Sequence, residues 1–328
     1  MKSQYLQQCP QILREFLGYM ETVKGRSQTT VNEYFLDLRT FFRFLKISRG
    51  LTDKSLDFNL IEINDIDIAV LKTVTLADAY EFLNYVTSER GNSARSRARK
   101  STALRVFFTY LTDKTGKLEV NPLSQLDTPK TRKSLPKYLT LEQSMELLTS
   151  TDGKYKERNF CILTLFLNCG LRLSELVMLN LGDIRDDNTM RVLGKGNKER
   201  IVYINDACKL AIDNYLKVRP TEGIIDKNAL FISRDHRRIS RRMVQVIVEN
   251  ALNKIGLGGG DGFSVHKLRH TAATLMYQYG EVDIRVLKEI LGHESLATTE
   301  IYTHLSSTQM EDAANSNPLS KMKPRRKP

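Results

Sequence analysis

The sequence predicts a mostly α-helical protein of two domains, the second of which carries a small antiparallel β-sheet. Three observations support this fold class. The chain has 328 residues, about twice the length of an ordinary domain. Apolar residues recur at helical spacing through most of the chain. The only convincing strand-like runs are short and flank one glycine-rich turn.

The composition is that of a folded, basic protein. Hydrophobic residues make up 41% of the chain and charged residues 27%, which excludes a collagen, a coiled coil or a disordered tail. The net charge of +12 favours a polyanionic partner, nucleic acid before membrane. No apolar run approaches the roughly 20 residues that span a bilayer. The first residues are too polar for a signal peptide, so we expect a cytoplasmic protein without a membrane partner.

Residues 1–128 are predicted to form a helical bundle. Apolar stripes that start at Ile12, Val31, Leu76 and Leu104 each follow the i, i+3, i+4 spacing of a one-faced helix. The last of these helices also carries bases and no acid. Solvated helix faces usually mix both signs, so this face favours contact with phosphates. The candidate nucleic-acid contacts on it are Arg95, Arg97, Arg99, Lys100 and Arg105.

Residues 129–139 are predicted to link the two domains. The segment begins PKTRKSLPKY and holds two prolines and four bases but no acid. Such a basic connector between two folded bodies suits a protein that encloses a duplex.

Residues 140–328 form the predicted second domain, which is mainly helical. We expect helices at 140–149 and at 159–169, the second ended by Gly170, and then a short helix capped by Ser174. Strand-like runs at 190–193 and 200–204 flank a basic turn and predict a β-hairpin with lysines at its tip. Further helices are expected at 207–218, 240–255, 266–279 and 282–291. Arginines at the start of the 240–255 helix favour phosphate contact over a solvated face, and the candidates are Arg237, Arg238, Arg241 and Arg242.

Four motifs of the second domain concentrate chemically active side chains. They are GLRLSEL at 170–176, GKGNKER at 194–200, HKLRH at 266–270, and LGH at 291–293 leading to Tyr302. In this order and spacing they resemble the tyrosine recombinases, the integrase family of site-specific DNA recombinases, and most closely its Xer-like bacterial branch. The resemblance extends over roughly residues 158–305.

The resemblance implies an architecture and partners. Residues 1–128 would be a SAM-like core-binding domain that clamps DNA, and residues 140–328 the catalytic domain with a C-terminal segment that docks on a neighbouring protomer. The partner would be duplex DNA with paired inverted half-sites, bound by a homotetramer on two DNA sites. That tetramer would act alone or with a second recombinase or a DNA translocase.

The same residues suit phosphodiester cleavage on chemical grounds. The transition state carries extra negative charge, which preorganised cations stabilise. Arg172 and Arg269 each offer a permanently charged fork to two phosphate oxygens. His266 and His293 can donate hydrogen bonds to the non-bridging oxygens or accept the proton of the nucleophile.

Tyr302 is the predicted nucleophile and Lys195 the predicted general acid. Tyrosine has an ordinary pKa of about 10, so it needs its proton removed or its anion stabilised. The resemblance implies attack that leaves a 3′-phosphotyrosyl bond, with no cofactor, metal or ATP. The family's motif register favours Lys195 over Lys198 as the acid, and Lys198 remains a candidate DNA contact. Glu175 is expected to orient the Arg172 guanidinium or to support the local turn.

Several alternatives stay open. His266 and His270 share a helix face, but no glutamate completes H-E-x-x-H, so no metal is expected. A type IB topoisomerase or a hairpin-forming resolvase would use the same tyrosine and arginines. A DNA-binding protein with a relic active site is less consistent with the complete set of residues. The sequence does not separate chromosome-dimer resolution from integration or excision of a mobile element, and residues 47–75 are longer than compact Xer-like chains require.

Overall fold

The chain divides into two units, Met1–Lys133 and Ser134–Pro328. The computed structural model describes residues 7–53, 55–129, 137–194, 198–258, 262–280, 282–292, 295–299 and 302. Within these residues no helix has both the length and the apolar character that a membrane span requires. The fold class expected from the sequence is confirmed, since the described residues form mainly helices and one two-stranded antiparallel sheet.

The first unit is a helical bundle around an aromatic core. Its helices are α1 (Gln11–Thr22), α2 (Gln28–Ser48), α3 (Ile68–Lys72), α4 (Leu76–Ser88) and α5 (Ala94–Thr109), with a 3₁₀ turn at Phe58–Leu60 and a π turn at Tyr110–Lys114. The predicted apolar stripes all face this core. Phe107 of α5 lies edge-to-face against Phe16 of α1, with ring centroids 5.2 Å apart, and against Phe42 of α2 at 5.8 Å.

Basic side chains attach the long segment at residues 47–75 to α2 and to α4. Arg43 donates from Nε to the carbonyl oxygen of Ile61 at 2.9 Å. Lys46 pairs with Asp65 at 2.7 Å, and Arg49 pairs with Asp78 of α4 at 3.1 Å. Together with the buried isoleucines at positions 61, 63 and 66, these contacts give the segment a defined path across the bundle.

The structure corrects one of the predicted nucleic-acid contacts on α5. Lys100 is only 7% exposed, and its ammonium lies 2.7 Å from a carboxylate oxygen of Asp37, which is itself buried in α2. The helix periodicity places position 100 toward α2 and away from the exposed face. Lys100 therefore joins two helices of the core and is not available to a phosphate.

The second unit surrounds one buried helix. Its elements are α6 (Leu141–Thr149), α7 (Lys156–Cys169), α8 (Leu173–Met178), β1 (Thr189–Leu193), β2 (Glu199–Tyr203), α9 (Asp206–Val218), α10 (Arg241–Lys254), α11 (Val265–Tyr279) and α12 (Ile284–Leu291), with 3₁₀ turns at Leu181–Asp183 and Leu296–Thr298. Helix α7 packs against α9 and α11. Strands β1 and β2 form the predicted hairpin, with Thr189 opposite Tyr203 and Leu193 opposite Glu199.

The start of α8 differs from the prediction, whereas the start of α10 agrees with it to within one residue. Helix α8 begins at Leu173 with Arg172 as its N-cap, rather than with Ser174, because the Glu175 carboxylate accepts the backbone N–H of Arg172 at 2.8 Å. Helix α10 begins at Arg241 after Ser240, whose hydroxyl accepts the N–H of Met243. Arg237 and Arg238 consequently precede the helix, in a turn closed by the hydrogen bond from Ser233 N–H to the Arg237 carbonyl.

Candidate active site

An open cleft of the second unit, about 390 Å³ in volume, collects three of the predicted catalytic residues. Arg172 enters it from the loop before α8, and His266 and Arg269 enter it from α11. Arg241, a predicted phosphate contact from the first turn of α10, lines the same cleft. Residues that lie up to 97 positions apart in the sequence therefore give one cleft a cationic wall.

Arg269 is a buried cation with neutral partners. It is 3% exposed, and its guanidinium donates to the backbone carbonyls of Gly170, at 2.6 Å, and Leu291. Burial lowers the pKa of Arg269 to about 10, and the neighbouring charge of Arg172 acts in the same direction, so the side chain is still charged at neutral pH. A buried charge is costly unless an opposite charge approaches it, and this one can be offered to an anion in the cleft.

Arg172 is held from two sides. Its Nη1 donates to Glu175 at 2.7 Å, and its Nη2 donates to the carbonyl of Gly292, just after α12, at 2.9 Å. The predicted contact between Glu175 and the Arg172 guanidinium is thus present. A third of the Arg172 side chain remains exposed, so part of the fork faces the cleft.

Glu175 is a buried carboxylate shared between two arginines. Arg200 of β2 forms a fork with it, Nη1 to Oε1 at 2.8 Å and Nη2 to Oε2 at 2.9 Å. Burial alone would raise the pKa of Glu175, but the hydrogen bonds and charges of Arg200 and Arg172 outweigh it and lower this pKa to about 2. The sequence reasoning missed Arg200, since only the lysines of the GKGNKER motif were considered there.

Two glycines allow the backbone to approach these arginines closely. Gly170 and Gly292 both adopt left-handed φ angles, 59° and 63°, which side chains disfavour. A Cβ on Gly170 would lie 2.8 Å from Leu291 Cδ2, and a Cβ on Gly292 would lie 3.1 Å from Arg200 Cδ. The carbonyls of both residues are the acceptors that hold Arg269 and Arg172.

Tyr302 is buried and bonded to a histidine. Its side chain is 1% exposed, packs with Ala273, Leu287 and Leu291, and is not among the residues that line the cleft. Its hydroxyl lies 2.8 Å from Nδ1 of His270. Burial raises the pKa of Tyr302 to about 12, although the charge of Arg269 opposes the shift.

His270 lies between the tyrosine and the cleft wall. Its ring contacts the ring of His266 edge-on, with centroids 4.6 Å apart. Burial lowers the pKa of His270 to about 4, and His266 and nearby cations add to the effect. His270 is therefore neutral at pH 7, and the protonated phenol of Tyr302 donates to its ring nitrogen.

Some predicted residues lie outside the described part of the chain. Lys195 and His293 are among them, as is residue 303 onward, where the protomer-docking segment was predicted. Lys198 is described and is exposed on the hairpin. Within the described residues, no group of three or more His, Cys, Asp or Glu side chains is arranged to hold a metal ion.

The remaining predicted phosphate contacts differ in availability. Arg97 is half-buried and donates to the carbonyl of Asn92 at 3.1 Å. Arg238 is corrected, because its guanidinium donates to the carbonyls of Val177 and Leu179 and to Asn180 Oδ1 at 2.6 Å, which fixes the fold after α8. The exposed members of the set are Arg95, Arg99, Arg105, Arg237, Arg241 and Arg242, of which Arg99 is paired with Glu33 and Asp37.

Comparison with known proteins identifies the class of protein that this fold and cleft define. Residues 137–309 match the phage integrase family, and residues 13–115 match the SAM-like N-terminal domain of phage integrases. The chain belongs to the phage integrase family, as the sequence motifs predicted.

Individual relatives show which branch of the family this chain is most similar to. The chain is 52% identical to the tyrosine recombinase XerC of Caldanaerobacter subterraneus, over 95% of this chain and 88% of the relative. It is 34% identical to XerC of Thermodesulfovibrio yellowstonii, over 94% of this chain and 97% of the relative. The predicted likeness to the Xer-like branch is therefore confirmed.

Solved structures share the fold. The XerH recombinase bound to difH substrate in a pre-cleavage complex matches with a TM-score of 0.67 and 25% identity, over 93% of this chain and 83% of that one. A λ integrase dimer bound to a COC′ core site matches with a TM-score of 0.66 and 19% identity, over 89% and 75% of the two chains.

Proposed function

We propose that this protein is a site-specific recombinase that cleaves and rejoins duplex DNA through a covalent 3′-phosphotyrosyl intermediate. The observation that carries the proposal is the convergence of Arg172, His266 and Arg269 on one cleft whose wall also includes Arg241. The XerC relatives and the likeness of the fold to recombinase–DNA complexes support it.

The cleft would bind the scissile phosphate and stabilise the charge that develops on it. Each guanidinium has N–H groups beyond those used by its protein partners. Arg172 and Arg269 can direct these to the non-bridging oxygens, and His266 can donate a further hydrogen bond. Because Gly170, Gly292 and Glu175 already hold the guanidiniums in place, little reorganisation is needed as the negative charge grows.

Tyr302 would supply the nucleophile after leaving its buried position. The phenol gives its proton to a histidine of the site, His266 or His293, as the Oη–phosphorus bond forms. The bond from phosphorus to the 5′ oxygen breaks, and the departing oxygen takes a proton from a general acid, for which Lys195 is our candidate. The phosphotyrosyl bond retains the energy of the broken phosphodiester, so rejoining to another strand needs no nucleotide. We propose that the reaction also proceeds without metal, and that His293 completes the set of donors.

The assembly that we propose follows the family. Both units would contact duplex DNA that carries paired inverted half-sites, through residues 1–128, the connector 129–139 and the catalytic residues 140–328. Four protomers on two sites would exchange strands through a four-way junction in the cytoplasm, with or without a second recombinase or a translocase. Of the two roles that the resemblance implies, chromosome-dimer resolution and integration or excision of a mobile element, we propose the first, because the relatives are named as Xer recombinases.

A two-site exchange assay tests this function. A duplex that the protein binds is first selected from a pool with inverted random half-sites around a fixed-length centre. Two labelled duplexes of different length that carry this site are then incubated with the protein in EDTA, and we expect hybrid-length products. Relaxation of a supercoiled plasmid without exchanged products would instead identify a type IB topoisomerase, and loss of cleavage in EDTA would indicate a required metal ion.

A further inference from the structure

The second unit contains an arginine that contacts both partners of Arg172 but does not line the cleft. Resting on the proposed function, we propose that Arg200 is a positioning residue of the cleavage site. It fixes Glu175 and the Gly292 backbone so that Arg172 faces the scissile phosphate, and it keeps the Glu175 carboxylate from neutralising Arg172.

Arg200 connects three elements, β2, α8 and α12, through its hydrogen bonds. From β2 it forms the two-armed pair with Glu175 of α8, and its Nε donates to the carbonyl of Ile290 in α12 at 3.2 Å. The pair is enclosed, with side-chain exposures of 14% for Arg200 and 1% for Glu175. A planar fork that pairs with both carboxylate oxygens fixes their orientation, which the single ammonium of a lysine cannot do.

Arg200 also packs directly against Gly292. The lack of a side chain there leaves room for the Arg200 Cδ and Nε, which a Cβ would approach to 3.1 and 3.3 Å. The carbonyl of the same glycine accepts Nη2 of Arg172. Both hydrogen-bond partners that the structure shows for the Arg172 guanidinium, Glu175 and Gly292, are therefore in contact with Arg200.

The charges explain why a second arginine is useful. A buried carboxylate paired with Arg172 alone would cancel the charge that has to attract a phosphate. When Arg200 shares that carboxylate, two guanidiniums face one glutamate, and Arg269 adds a third positive charge nearby. The cluster keeps a net positive charge while Arg172 remains oriented.

The test compares substrates that differ only in the charge of the scissile group. Arg200→Met and Arg200→Lys are assayed in single-turnover cleavage of a nicked form of the selected duplex, carrying either a normal phosphate or a neutral methylphosphonate at the cleavage position. The control is Arg191→Met, since Arg191 lies on the partner strand β1, pairs with the buried Asp183 and is not among the residues that line the cleft.

We expect Arg200→Met to cleave the phosphate about 10- to 100-fold more slowly than wild type, with DNA affinity within about threefold. On the methylphosphonate the difference should shrink to about threefold or less, because a neutral group needs less positive charge in its transition state. The rate at which Arg200→Lys cleaves the phosphate should lie between those of wild type and Arg200→Met. Arg191→Met should cleave both substrates at the wild-type rate.

Two outcomes would overturn the positioning role. One is an unchanged rate on the phosphate in Arg200→Met, or in Arg200→Lys should the methionine variant not fold. The other is an equal loss on both substrates, since general damage to the fold does not depend on substrate charge. If wild-type protein forms no covalent adduct while it binds the duplex, the proposed function itself fails, and the role of Arg200 fails with it.

Discussion

Both units bury basic side chains of their helices, and Lys100 and Arg269 show two different ways of holding such a charge. Lys100 of α5 is neutralised by Asp37 at 2.7 Å in the first unit. Arg269 of α11 is held by the carbonyls of Gly170 and Leu291, and the described residues include no carboxylate within ion-pair distance of it. Lys100 is thus neutralised inside the fold, whereas Arg269 keeps its charge and lines the cleft, where an anion can approach it.

Other basic side chains of the two units also differ in how many acids they are paired with. In the first unit, Lys46 of α2 and Arg49 just after it pair with acids at 2.7 and 3.1 Å, and each connects segments of the bundle. In the second unit, Arg172 and Arg200 share a single glutamate, Glu175, and Arg269 is held by backbone carbonyls instead. A count of the bases in a stretch of sequence is therefore a poor guide to phosphate binding. The number of acids that the fold places beside those bases is a better one.

Replacing Arg269 should have the largest effect on function. We expect Arg269→Met to lower the rate of single-turnover cleavage on the order of 10²- to 10³-fold, because one preorganised cation is lost from the transition state. The melting temperature should stay level or rise, since the variant no longer buries an unpaired charge. A drop in melting temperature of more than about 5 °C with an unchanged cleavage rate would assign Arg269 to the fold instead.

Replacing Lys100 should lower the stability of the first unit and leave DNA binding unchanged. We expect Lys100→Met to destabilise the first unit by about 2 to 3 kcal/mol, because Asp37 would be left buried with only the partly exposed Arg99 beside it, at 3.0 Å. Hydrogen exchange of α2 and α5 in the full chain measures this effect.

The double variant Asp37→Leu/Lys100→Met is the matched control for that loss. It removes both charges and should recover most of the protection of α2 and α5. Salt dependence of DNA binding should not change in either variant. A weaker salt dependence of DNA binding in Lys100→Met would show that Lys100 contacts a phosphate after all.

His270 gives the second unit a pH dependence. Its pKa in the folded protein, about 4, lies below its ordinary value of 6.5, so folding favours the neutral ring. Stability is then complete above pH 6.5 and decreases as the pH falls toward 4. Allowing for partial exposure, we expect His270→Gln to remove about 1 to 2 kcal/mol of this decrease. Denaturant unfolding at pH 7.5 and 4.5 measures it, and an equal decrease in wild type and variant would contradict the role of His270.

An exposed arginine on α5 should show the smallest effect. If the face that includes Arg95 contacts phosphates, Arg95→Gln should weaken DNA binding a few-fold and reduce the slope of log affinity against log salt by about 1. Titrations at several salt concentrations on two unrelated duplexes give this slope. A slope identical to that of wild type would show that this part of α5 is a solvated surface.

The helices and the hairpin could be predicted because their determinants are local. The apolar stripes, the caps at Thr75 and Thr140 and the glycine that ends α7 each depend on residues within a few positions. The motif residues that converge on the cleft were predictable for another reason, their resemblance to a family.

The partners of individual charged side chains could not be predicted in this way. Lys100 and Asp37 are separated by 63 positions, and Arg200 and Glu175 by 25. Arg238 finds its carbonyl acceptors about 60 positions earlier. No local pattern reveals such partners, so the sequence counted Lys100 and Arg238 as surface bases and overlooked Arg200.

The most direct test of the account locates the covalent bond. Wild-type protein is incubated with a nicked duplex whose short cleaved fragment diffuses away, the adduct is digested, and the peptide that carries the nucleotide is sequenced by mass spectrometry. We predict that the nucleotide is attached to Tyr302 and that Tyr302→Phe binds the duplex without forming an adduct. A nucleotide on another side chain, or an adduct of unchanged yield in Tyr302→Phe, would contradict the central claim.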